Sequence, residues 1–424
     1  MAMKRKQTVA NLSALRTTAQ PSVAGPRPLL LDLLEVCFAT PMKGSPGDTK
    51  CIWGIPLLIE GKIASAKTAQ IEQLSDAMQE RLVTLYASQH APEDFASVLI
   101  PDGRGGAKQI CPLPQVREMV EHGRGIIFLD EINGGTRATH TALQAFVHER
   151  ASGDTRLPNE VRIVAAQNPV HIATNGIRLS APLAQRFAHY EYPSLPLEQW
   201  TSYKMFGASA TSSHSLLNLE AMVTENWKNA EPISFSLITA FLKSNPTLFN
   251  QEPAATDPRS SKAWPSSRTW DFAGRLWTTC SILGKSELVR DTLVECCVGQ
   301  GPAATLSTFL QTADMPEPMA VLDGTWQPDK DRLDIVVMAY ASAASYLRQR
   351  STMEEKVELA PLMWAALGRL QTANLADIVV PYAESMITQR LGMKCQDKAV
   401  AQAAQKVIVP LAKGGLNKFL EEQL

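Results

Sequence analysis

Apolar residues are spaced along the first half of the chain in short continuous runs, each followed by a helical pattern. Leu29–Ala39 is apolar at nearly every position and reads as a short helix. Ile55-Pro56-Leu57-Leu58-Ile59-Glu60 reads as the first strand, running through Gly61-Lys62-Ile63-Ala64-Ser65-Ala66-Lys67-Thr68 into a helix from Ala69 to about Arg81. Leu82–Tyr86 is a second strand. Gly123-Arg124-Gly125-Ile126-Ile127-Phe128-Leu129-Asp130-Glu131 holds four consecutive apolar residues between glycine and two carboxylates, the pattern of a strand buried on both faces. A helix over Ala138–Glu149, a hairpin at Gly153-Asp154 and Pro158-Asn159, a fourth strand Val161–Ala166 and a fifth, Ala188–Tyr192, complete the series. Strands alternating with helices predict a parallel sheet.

From Leu197 onward the apolar spacing is helical only. Segments Leu197–Met205, Ser215–Trp227, Phe235–Leu242, Arg268–Leu283, Leu288–Cys297 and Ala303–Gln311 predict helices, with a Pro/Gln/Ser-rich connector around Pro253–Pro265. A last helical region runs from about Arg332, with a capping signal at Ser351-Thr352-Met353-Glu354. Asp102–Gly106 reads as the turn of a protrusion before a helix at Gln115–Glu121.

The two strand ends that carry polar residues hold the candidate chemistry. Ligands of open α/β sheets bind beyond the carboxyl ends of the strands. Asp130 and Glu131 sit there, as does Asn168 after the fourth strand; a carboxylate can hold magnesium, its neighbour can polarise a water, and an amide can position that water. A strand, a loop of small residues, Lys-Thr and a helix form a phosphate-binding arrangement: backbone N–H groups cradle phosphates, the ammonium bridges the outer ones and the hydroxyl meets the metal. Ala64 and Ala66 stand where that loop commonly has glycine. Each piece also has a plainer reading. The loop can be an ordinary βα turn, Asn168 an Asx turn before Pro169, and His90 a structural hydrogen-bonding group rather than a nucleotide contact.

Composition narrows the class. The 424 residues carry 41 basic and 42 acidic side chains, a formal charge of -1, so no global basic field marks a nucleic-acid binder. Seven cysteines form no CxxC pair and no Cys/His ligand spacing, which favours reduced thiols in a cytosolic protein. The apolar run near Ile335–Ala344 is too short to span a bilayer. Residues 1 to about 27 carry Lys4, Arg5, Lys6, Arg16 and Arg27 and no acid, with no apolar stretch of the kind a secretory leader has. They read as a mobile basic tail with a short helix over Val9–Thr18.

In this order the pieces resemble an AAA+ ATPase of the MoxR branch. Gly61–Thr68 is similar to a variant Walker A loop, Ile126–Glu131 to Walker B, and Ala165–Pro169 to sensor 1. Leu179–Ala188 is similar to the arginine-finger segment, and Ala263–Trp270 to the start of the sensor 2 helix. The resemblance covers about Leu29–Gln311. It implies an AAA+ P-loop α/β domain with a five-stranded parallel sheet, then an all-helical lid and a helical C-terminal region. The domains expected are 1–28 as a basic tail, 29–197 for nucleotide binding, 198–315 as the lid and 316–424 as the C-terminal region. It also implies ATP and Mg2+ as cofactors. Gly61, Ala64, Ser65, Ala66, Lys67, Thr68 and Asp130 would bind them, with Thr68 and Asp130 at the metal. Glu131 would polarise water, Asn168 would hold it in line, Arg186 would reach a neighbouring subunit's γ-phosphate, and Arg268 would sense the nucleotide of its own subunit.

Arg178 is a rival for the finger, Arg186 and Arg268 have plainer readings as surface and helix-face residues, and Trp264, Trp270 and Trp277 read as lid packing. By the same resemblance the chain forms a homo-oligomeric ring, hexameric in the family, and remodels a partner protein, with a separate von Willebrand factor A domain protein as its companion. A nucleotide-dependent scaffold with slight turnover, motivated by Ala64 and Ala66, and a nucleic-acid-directed motor are the competing functions.

Overall fold

The computed structural model describes residues 29–413, apart from 102, 104, 105, 174, 175, 194, 195, 207–214, 255, 313–315, 331, 349, 351 and 374. The basic tail and its expected helix lie outside the described residues.

Five strands form one parallel sheet: β1 (Leu57–Gly61), β2 (Leu82–Tyr86), β3 (Arg124–Asp130), β4 (Glu160–Gln167) and β5 (Ala188–Tyr192), in the spatial order β5-β1-β4-β3-β2. Alternation assigns successive residues to opposite faces. Leu57, Ile59, Ile126, Phe128, Val164 and Ala166 face one hydrophobic core, which includes the helices Leu29–Ala39 and Lys67–Ala77. Leu58, Ile127, Leu129, Ile163 and Ala165 face the other, with Phe146 and Val147 of the helix Arg137–Glu149. Burial on both faces is why these strands read as unbroken apolar runs.

The first core continues into the helices Leu216–Ser244, Ser267–Ile282, Glu287–Val298 and Gln300–Thr312. A separate core holds the last five helices, Pro318–Asp323, Leu333–Arg348, Met353–Thr372, Ala376–Thr388 and Lys398–Lys413, around the fully buried Trp364 and Tyr340. The fold is therefore a five-stranded parallel α/β sheet followed by helices, as expected. Among the described residues no helix is long and apolar enough to cross a membrane.

Three local expectations are corrected. Ser215–Trp227 and Phe235–Leu242 are parts of one helix, Leu216–Ser244, which runs through Pro232 because it packs along Ser267–Ile282. Proline ends an isolated helix, but tertiary contact can offset its cost of about 3 kcal/mol. The capping box is Thr352 with Glu355, one residue beyond the pair expected. Two short antiparallel ladders, Pro41–Lys43 with Ile52–Trp53 and Val98–Pro101 with Ala107–Ile110, carry no alternation that marks them; the second flanks the glycine-rich turn.

An ionic network ties the helix Leu216–Ser244 to the sheet. Glu220 pairs with Arg162 on β4, which is fully buried, and with Arg124 on β3, 3.2 Å away. Arg124 also pairs with Glu80, and Arg162 Nε donates to Phe38 O at 3.2 Å.

Candidate functional site

β1 ends at Gly61 and the next helix begins at Lys67. The intervening loop turns back on itself through two alanines in the left-handed region, Ala64 at φ 59° and Ala66 at φ 65°. The chain thus takes up the glycine-favouring conformation with alanine, at about 1–2 kcal/mol for each residue. Gly61 leaves room for a close approach: a Cβ there would lie 3.2 Å from Ser65 Oγ, 3.3 Å from Lys67 Cδ and 3.3 Å from Tyr192 Cβ, so these neighbours would have to give by a few tenths of an ångström.

The Lys67 side chain curls back into this loop. Its Nζ donates to Gly61 O at 2.7 Å, Lys62 O at 3.0 Å and Asn168 Oδ1 at 3.1 Å, with Ser65 Oγ at 3.5 Å. Burial lowers its pKa, opposed by the charge of Asp130. Thr68 Oγ1 donates to Asp130 Oδ2 at 3.1 Å, and the Glu131 amide donates to Asp130 Oδ1 at 2.8 Å. Burial raises the Asp130 pKa, and those two hydrogen bonds and Lys67 work against it. Asn168 is fixed from behind, because Asn133 Nδ2 donates to its carbonyl at 2.8 Å.

Glu131 leaves the strand in a left-handed conformation, φ 48° and ψ 42°, which turns its side chain out beyond β3. There Ser88 Oγ donates to Glu131 Oε2 at 2.9 Å. Ser88, just past β2, carries no signal of its own in the sequence; a hydroxyl after a strand end is too common to stand out. Asn133 is a second supporting residue of this kind. His90 takes its plainer reading, with Nδ1 3.3 Å from Asp94 Oδ2 and its ring edge-on to Phe95.

Sequence distance hid the other half of the arrangement. Parallel pairing sets Ala188 beside Leu57 and Tyr192 beside Gly61. Arg186, two residues before β5, therefore lies beyond the amino end of the sheet, while Lys67 lies beyond the carboxyl end; β1 alone separates them by about 13 Å. Arg186 Nη1 donates to Pro182 O, and its Nε is buried without a partner among the described residues. Arg178 stays at the carboxyl end, exposed and next to Ile177, whose amide donates to Asn133 O at 3.0 Å.

Arg268 is placed with Arg186. Ser266 Oγ donates to Gln185 Oε1 at 3.0 Å, which docks the start of the helix Ser267–Ile282 on the segment before β5. Arg186 loses basicity through burial and then through Arg268; His148 is depressed by burial first and then by both arginines. Arg268, expected to sense the nucleotide of its own subunit, is thus grouped with Arg186. It stands at the amino end of the sheet, away from Lys67, because its helix packs against β5's approach rather than over the loop. Trp270 and Trp277 are buried packing, the first donating from Nε1 to Leu248 O at 3.0 Å.

The loop opens on a cleft lined by Lys62–Ala66 on one side and by the exposed Leu197 and Trp200 on the other. Among the described residues no cluster of three or more His, Cys, Asp and Glu side chains could hold a metal alone. The Thr68 and Asp130 oxygens nevertheless fit a hard cation. Adjacent ligands of an octahedral ion at 2.0–2.1 Å stand about 2.8–3.0 Å apart, slightly less than the 3.1 Å separation here. Magnesium bound by so few protein groups takes its remaining ligands from phosphates and water.

No family model and no curated protein matches the chain. The solved structure of a "putative ATPase" from Cytophaga hutchinsonii is similar over 63% of this chain and 79% of that one, at 16% identity and a TM-score of 0.40. A likeness that distant decides nothing about chemistry.

Proposed function

We propose that this chain is a MoxR-like AAA+ ATPase that binds ATP with Mg2+ at the Gly61–Thr68 loop, hydrolyses it between subunits of a ring, and so remodels or activates a partner protein. One observation carries the reading. Lys67, Thr68, Asp130, Glu131 and Asn168 converge at the carboxyl end of the sheet, while Arg186 and Arg268 stand together at its amino end. A site at one end and a cationic pair at the other cannot meet within one copy. Head-to-tail association brings them together, and repeated head-to-tail contacts form a ring where the rotation between copies closes.

The chain's own residues then divide the work. Lys67 exchanges the Gly61 and Lys62 carbonyls for phosphate oxygens, and Asn168 keeps its ammonium in register. The left-handed turn at Glu131 presents a carboxylate where an attacking water needs a base, with Ser88 holding it until substrate arrives. Thr68 and Asp130 would hold magnesium, which neutralises charge on the outer phosphates when bound. Arg186 reaches the γ-phosphate of the neighbouring copy; a cation supplied in trans is worth roughly 10³–10⁵ in rate. A hexamer and a companion with a von Willebrand factor A domain rest on the family resemblance alone.

Steady-state ATP hydrolysis by the wild type and Glu131→Gln tests this. Loss of about 10²–10⁴ in rate, with nucleotide binding kept, is expected on removal of a general base. Equal rates would remove the motor. A second reading, a nucleotide-dependent scaffold, is favoured by the two alanines in left-handed conformation and by the self-occupied ammonium. It predicts ATP-dependent assembly on sizing, with negligible turnover in the wild type.

A further inference from the structure

Away from the loop, a cavity of ≈ 470 Å³ lies between the lid helices and the helix Leu333–Arg348. Ligand pockets span about 300–1,000 Å³, so the space suits a small molecule. Ile233, Leu237, Leu310 and Met338 give it apolar walls. Two arginines, Arg290 and Arg348, line it as well, and they differ in their surroundings.

Arg290 is accounted for. Its Nε donates to Asp291 Oδ1 at 2.8 Å, Glu287 lies 3.7 Å away, and its guanidinium sits 5.1 Å from the centre of the Trp277 ring. Arg348 has no hydrogen bond or ion pair among the described residues. Its basicity is lowered by burial, and no acid offsets the effect. A half-buried cation with nothing to neutralise it is costly in a folded protein, and such charges are ordinarily paired. The favourable field at a helix C-terminus, where Arg348 sits, is worth only about 0.3–1 kcal/mol.

We propose that this cavity binds a small organic anion, a phosphate monoester or carboxylate with an apolar body. The anionic group meets Arg348, and the apolar body lies along Ile233, Leu237, Leu310 and Met338. Glu287 also lines the cavity, and Arg290, 3.7 Å from it, keeps that wall from presenting an unopposed acid. Because the walls come from the lid helices and from the separate C-terminal core, an occupant would fasten the two together. The site does not depend on the nucleotide reading.

The test is calorimetric titration and thermal shift of the full chain with phenyl phosphate and, separately, benzoate. At least one is expected to bind the wild type and raise its melting temperature. Whichever binds identifies the headgroup. Arg348→Gln should weaken that binding at least tenfold without lowering the melting temperature of the free protein, since it removes a charge with no partner among the described residues. Ser342→Leu, which narrows the cavity without touching charge, should also weaken it. Lys67→Ala should leave it unchanged.

Three results would overturn the proposal. Neither probe binds the wild type; binding follows Lys67 rather than Arg348, which would place the anion at the loop; or Arg348→Gln melts more than about 5 °C lower, which would make the arginine a structural brace.

Discussion

Replacing Ala64 and Ala66 by glycine tests whether the loop is already shaped before any nucleotide arrives. Both alanines hold positive φ, 59° and 65°. Each costs about 1–2 kcal/mol relative to an unstrained residue. Glycine removes that strain but returns about 0.4–1 kcal/mol through the greater freedom of the unfolded chain. The double variant should therefore gain on the order of 1 kcal/mol, a rise of about 1–3 °C in melting temperature. Because the strain is present in the free loop, relieving it stabilises free and bound protein alike. Nucleotide affinity should then change less than about threefold, well under the factor of ten that 1.4 kcal/mol represents. The assay is a thermal melt of the free protein beside ATP titration of wild type and variant. A tenfold tightening with no change in melting temperature would refute the reasoning. It would mean that the loop reaches this shape only on binding, and that the alanines tax affinity rather than stability.

Other expectations follow from the same geometry. Arg186→Ala should bind ATP within about threefold of wild type yet lose turnover by roughly 10³ or more; rings mixed with Glu131→Gln should recover part of that activity, and no recovery at any ratio would contradict action in trans. Glu220→Ala leaves the fully buried Arg162 without its carboxylate, and about 3–5 kcal/mol of stability should be lost in a denaturant melt; a loss under 1 kcal/mol would show the network to be dispensable. His189, whose ring nitrogen bonds Ala184 O at 2.9 Å, has its pKa lowered to about 4, first by burial. It is neutral in the fold and protonated in the unfolded chain below about pH 6.5, so the unfolded state binds the extra proton. Stability should be complete above pH 6.5 and fall as pH drops toward 4, by up to about 2–3 kcal/mol given the ring's partial contact with solvent. His189→Gln should flatten that slope, and an unchanged profile would assign it to other groups.

What the sequence determined was local and periodic. Unbroken apolar runs specified β1 to β5 because both faces of a parallel sheet are covered, and the order of loop, Asp130-Glu131 and Asn168 placed them at strand ends. The pairs Lys67–Asn168 and Thr68–Asp130 follow once β1, β4 and β3 lie parallel in that order, since their carboxyl ends share one edge of the sheet.

The tertiary structure alone decided the rest. Ser88 meets Glu131 only because β2 lies beside β3. Arg268 joins Arg186 rather than Lys67 because a helix 80 residues later docks on Gln185, which no period in the chain encodes. The helix through Pro232 persists because packing outweighs a local penalty, and Arg348 is a common residue whose isolation is visible only when every neighbouring helix is in place. Periodicity reports which face of an element is buried. It carries no record of which distant side chain completes a charge.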